Sequence, residues 1–152
     1  MVLAAYLDTG YKVLFLLHIL SVLVAFAPAF TSPVLVAKVK KAEGEGALPK
    51  LAGYLHSNAR TIHFPALILV GLFGFGLVGM SDGFAEFSDT WVMLAIVVWI
   101  ALCGVVSAVI TPGEKKLADG DVSAEKNVAL GGQIASVLLL VMLYLMIFKP
   151  GA

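Results

Sequence analysis

The sequence predicts an all-α protein: a four-helix transmembrane bundle with short loops and an interfacial helix in the first loop. Two observations carry that prediction. Hydrophobic types make up 61% of the 152 residues and charged types only 13%, against about a quarter charged in an ordinary soluble domain. The apolar residues also fall into four long runs, each able to cross the roughly 30 Å of a hydrocarbon core at about 1.5 Å per residue. The mean hydropathy is +1.01. Twenty charged side chains cannot coat a water-facing surface of this size, so a soluble enzyme, a disordered linker and a secreted disulfide scaffold are excluded. Lipid is the expected solvent. The charges balance, with ten Lys+Arg against ten Asp+Glu, and no basic excess points to nucleic acid. Cys103 is the only cysteine, so no internal disulfide forms.

The chain reads as one integral membrane domain over residues 1–152, with spans at 12–36, 61–80, 90–110 and 129–148. The first span is too long for the apolar core of a signal peptide and lacks a basic cluster before it, so a retained helix is expected. Lys12 is the only charged residue in the four runs, and it lies at a rim. Buried helices of a soluble bundle keep a polar face, and these do not. Pro28 lies in the middle of the first span. It has no N–H to donate to the carbonyl of Val24, which predicts a bend. In the first loop, Leu48, Leu51, Tyr54 and Leu55 recur at helical spacing behind Pro49, which predicts a short amphipathic helix. The third loop reads as a solvated turn, with Pro112-Gly113 stopping the third span.

Orientation follows from the basic residues. Eight of the ten lie in loops 37–60 and 111–128; only Lys12 and Lys149 lie at the other end. The positive-inside rule therefore places those two loops in the cytoplasm of a plasma-membrane protein, with both termini outside. Trp91, Tyr11 and Tyr144 fall near the outer rim and read as interfacial anchors. Trp99 is deep and needs a partner for its indole N–H.

Small residues form the clearest packing signal inside the spans. Ser21, Ala25 and Ala29 recur every four residues in the first, Gly104 and Ala108 in the third, and Gly131 and Ala135 in the fourth. Such stripes let helices approach closely in lipid. Gly71, Gly74, Gly76 and Gly79 of the second span point in several directions, and fit either close contacts on two sides or a thin flexible segment.

The histidines carry the chemistry. His18 lies about 9 Å inside the outer end of the first span, whereas His63 lies near the opposite face, a height difference of roughly 16 Å. They cannot share one metal ion or haem iron, and the third and fourth spans have no histidine. Met142 matches the depth of His18, so a mixed His18–Met142 site for haem or copper is the one metal arrangement left. A structural His18, hydrogen-bonded to a carbonyl, a serine or a quinone-like ligand, is the competing reading. No carboxylate lies inside a span, which leaves no proton path.

The segment FLLHILSVLVAF, with His18 followed by the small residues Ser21 and Ala25, and Arg60 ahead of the second span, resembles a group of small bacterial four-helix integral membrane proteins without assigned function. That group is distantly similar to copper-resistance protein D-type membrane proteins. The resemblance covers most of the chain and implies the fold more than an activity. The copper-resistance type would carry more histidine and methionine on one face. Two functions are therefore expected. The first is a non-catalytic accessory or scaffolding subunit of a larger membrane complex, such as an electron-transport assembly. Its partners are the lipid bilayer and other integral membrane subunits, with no catalytic residue, no cofactor and no nucleic acid. The second is an independent haem- or copper-binding membrane redox protein.

Overall fold

A computed structural model describes residues 8–151 and shows an all-α, four-helix bundle. The first helix, α1 (Thr9–Glu43), begins where the Asp8 carboxylate caps the N–H groups of Gly10 and Tyr11, and ends at Gly44 with φ of 79°. It runs unbroken through Pro28 and Pro33. A short 3₁₀ turn (Glu45–Ala47) leads into α2 (Leu48–Asn58), with Pro49 in its first turn. A π-helical turn (Ala59–His63) joins α2 to α3 (Phe64–Gly79). Across a loop come α4 (Thr90–Val105), a second π-helical turn (Val106–Ile110) and α5 (Thr111–Ala118). The chain closes with α6 (Ala124–Phe148).

These elements stack into four helical columns, Thr9–Glu43, Glu45–Gly79, Thr90–Ala118 and Ala124–Phe148, each long and apolar enough to cross a membrane. The protein is thus a multi-pass membrane protein. Its outward surface is apolar in the middle: Leu23, Phe30, Val97, Leu140 and Ile147 are all more than 60% exposed. Side chains of this kind gain nothing from water and face lipid tails without penalty.

The third column corrects one expectation. Pro112-Gly113 does not stop the helix; α5 carries it on to Ala118. The π-helical turn supplies the reason. In it the Thr111 N–H reaches back five residues to the Val106 carbonyl, a wider turn directly before Pro112 that makes room for its ring against the preceding turn. The second column repeats the device, with the Phe64 N–H on the Ala59 carbonyl just before Pro65.

Inside the bundle α1 lies along α3, and α4 along α6, while α2 packs on α5 at the end that carries the two basic loops. The central core is Leu67, Ala95, Leu102, Met142 and Leu145. Ala52, Leu117 and Ala124 close the basic end, and Ala85, Trp91 and Val92 close the other. The predicted first-loop helix is present, with Leu48 and Ala52 buried and Tyr54 exposed. Lys40 at the end of α1 bonds Glu125 at the start of α6, clipping the first column to the fourth.

Glycines set the closest approaches. A Cβ at Gly71 would collide with the Trp99 ring, one at Gly76 would sit 2.7 Å from Leu14, and one at Gly74 3.4 Å from the His18 ring. The α3 glycines thus serve α1 and α4, two sides as their angles predict. Gly131 is buried against Val109 and Ile110, and Ala135 packs on the core. Ser21 is buried and Ala25 packs on the core, whereas Ala29 is half-buried. Gly104 and Ala108 instead face outward, with open space over Gly104.

Candidate functional site: an apolar cavity on His18

Each histidine of the chain bonds a backbone carbonyl of another helix. On α1, His18 donates from Nδ1 to the Val70 carbonyl of α3 at 3.0 Å. In return, His63 donates from Nδ1 to the Val24 carbonyl of α1 at 2.8 Å. The pair forms a reciprocal clasp between antiparallel helices. Val24 is the residue whose carbonyl Pro28 leaves without its intrahelical donor, so His63 satisfies a group that would otherwise be orphaned in the membrane. His56 of α2 bonds the Thr111 carbonyl at the start of α5 at 2.9 Å. Trp99 donates its indole N–H to the Leu67 carbonyl at 2.8 Å, which supplies the partner its depth requires. The two rings lie closer in height than the roughly 16 Å expected from the sequence: only six residues of α1, about 9 Å, separate His18 from the Val24 carbonyl that His63 bonds, and each ring is committed to the opposite helix at its own level.

The clasp has a consequence for His18. A carbonyl only accepts, so Nδ1 carries the proton and Nε2 of the neutral ring keeps its lone pair. Metal-binding histidines are held in this way, with one ring nitrogen anchored on a carbonyl and the other offered to the ligand.

His18 forms part of the wall of a cavity of about 310 Å³ between α1, α3, α4 and α6. That volume lies at the small end of the range typical of small-molecule sites. The lining is overwhelmingly apolar, from Phe15, Phe26 and Phe75 to Val70, Leu102 and Leu139. Met142 and Met146 line it too, so the bundle brings His18 and Met142 to one space. Met142 is buried in the core, and the remaining outer methionines, Met80 and Met93, are exposed. Among the described residues no group of three His, Cys, Asp or Glu side chains is placed to hold a metal ion.

Tyr11, Phe84, Trp91 and Lys149 complete the lining, at the helix ends opposite the basic loops. Trp91 corrects a second expectation. It is only 6% exposed and belongs to the closing cluster with Ala85 and Val92, because the 80–89 loop and Lys149 cover the start of α4. An interfacial anchor would stand in the headgroups. Tyr144 does face outward, stacked on Phe148. The Lys149 ammonium lies 4.0 Å from the Phe84 ring centre and 5.3 Å from that of Trp91, within cation–π range. No sequence signal marked Phe84, Trp91 or Lys149 as cavity residues; a lysine one position past an apolar run reads as an ordinary end marker.

At the opposite end a more open hollow is lined by His56, Ser57, Arg60 and Thr61. Its Thr61 hydroxyl donates to the Ser57 carbonyl at 2.8 Å.

No family model, curated protein or solved structure matches the chain.

Proposed function

We propose that the protein binds an apolar, membrane-soluble molecule in the His18 cavity, with His18 Nε2 as a coordinating or hydrogen-bonding atom in the cavity wall. The observation that carries this reading is the anchoring of Nδ1 on Val70, which fixes the tautomer and leaves Nε2 uncommitted by that bond in a residue that lines an otherwise apolar space. A second polar nitrogen on an intramembrane imidazole gains from a ligand that bonds it. A haem or copper centre on His18 and Met142 is the most specific form of the proposal, since a neutral imidazole and a thioether suit either. The eight-to-two division of basic residues supports an orientation with both termini outside, which puts the cavity in the outer half of the bilayer.

The test is a visible absorption spectrum and a metal analysis, made on membranes as well as on purified protein. A Soret band lost in His18→Ala, with helicity retained, supports haem; stoichiometric copper lost in the same variant supports the metal form. A colourless, metal-free protein removes both redox forms and leaves an organic ligand.

One observation favours a second reading, the accessory subunit. Gly104 and Gly132 have open space where their side chains would be, and Ala108 is exposed on the same column as Gly104, a surface on which a partner helix packs closely. Gentle extraction tests it: a stoichiometric membrane partner supports this reading, and a lone monomer or homo-oligomer removes it.

A further inference from the structure

The outer end of the cavity carries a polar set that the apolar interior does not explain. Trp91 is 6% exposed, and its Nε1 is fully buried without a hydrogen-bond partner among the described residues. Leaving such a buried donor unpaired is destabilising. Trp91 is the second residue of α4, and the side chain of the N-cap residue Asp89 makes no capping bond; its carboxylate accepts the Glu86 N–H at 2.9 Å instead. The opening amides of α4 are therefore left without a side-chain cap. Lys149 stands over the same ring. It ends α6 in the left-handed region, at φ 44° and ψ 58°, where a glycine is the usual occupant. The lysine side chain lies over the Phe84 and Trp91 rings. Desolvation lowers the pKa of its ammonium from the ordinary lysine value, an imbalance that a nearby anion would relieve.

We propose that the mouth of the cavity recognises a carboxylate, so that the ligand is an apolar molecule with an acidic head, the head on Trp91 Nε1 and the Lys149 ammonium and the body running inward past His18. This deepens the cavity reading and rests on it. Two sources share the chemistry, a long-chain fatty acid and the propionate groups of a haem. An ester of either keeps the apolar body and loses the charge.

The purified full chain is titrated with dibromostearic acid and with its methyl ester, reading quenching of the two tryptophans, both of which line the cavity. Haem and its dimethyl ester are titrated in parallel by absorbance. The acid is expected to bind about tenfold more tightly than its ester, the scale of one charge-assisted hydrogen bond. Lys149→Gln abolishes that preference, Lys149→Arg keeps it, and Trp91→Phe reduces it. Preference in the stearate series alone identifies a lipid-derived ligand, and in the haem series alone a porphyrin. Equal binding of acid and ester overturns the carboxylate inference and leaves the cavity reading standing, as does a preference that survives Lys149→Gln. Failure of all four probes to bind overturns both.

Discussion

Glu114 shows how much one side chain is governed by its surroundings. It lies in α5, one turn past the apolar run that ends at Ile110, yet it is 7% exposed and its Oε2 has no hydrogen-bond partner among the described residues. Burying a carboxyl oxygen without a partner is costly, so Glu114→Ala is expected to raise the thermal midpoint, measured by unfolding in detergent. A lowered midpoint would show that the side chain is satisfied where it lies. Gly71 makes the opposite point, since there the environment forbids a side chain. A methyl group would collide with the Trp99 ring and dislodge the bond to Leu67. Gly71→Ala is expected to cost about 1–3 kcal/mol and to shift the tryptophan emission, whereas Gly79→Ala, in open space, leaves the emission unmoved.

At the level of helices, the sequence already contains half of the His63 clasp. Pro28 announces a carbonyl at Val24 without a donor. It does not announce which residue supplies one, because that depends on the register between α1 and α3, set by Gly74 under His18 and Gly76 under Leu14. The clasp predicts a coupled pair. His63→Ala orphans the Val24 carbonyl and costs about 1 kcal/mol, in the range of side-chain hydrogen bonds in membranes. In a Pro28→Ala background the backbone N–H restored at that position takes the Val24 carbonyl, and the cost of His63→Ala shrinks. A double-mutant cycle on thermal unfolding reads the difference; additive effects would refute the link. The π-helical turns were less legible. Proline two positions after each is their only trace, and Pro112 on its own reads as a helix stop. Tertiary packing of α5 on α2 and α6 favours continuation, and one extra residue in the turn makes it possible.

For the whole molecule, the four apolar runs were enough to read the architecture, because lipid demands unbroken helices of a fixed length. The cavity was not legible, since it arises from the way α1, α3, α4 and α6 meet and from no single run. His18 and Met142 could be matched in depth from the sequence, but only the bundle brings them to one space. Trp91 was misplaced for the same reason: its position in the run is peripheral, and the fold covers it. The proposed orientation has its own test. With Cys103 replaced, a cysteine introduced as Phe84→Cys is expected to react with impermeant reagent from outside, and Ala42→Cys only from the cytoplasmic side; the reverse pattern would invert the molecule. The central claim is that the His18 cavity holds a ligand. Native mass spectrometry of the protein released from mild detergent tests it most directly. A small-molecule adduct is expected on the 16.0 kDa chain, and it is lost in His18→Ala. A bare chain in the wild type, or an adduct retained at equal occupancy by the variant, would contradict it.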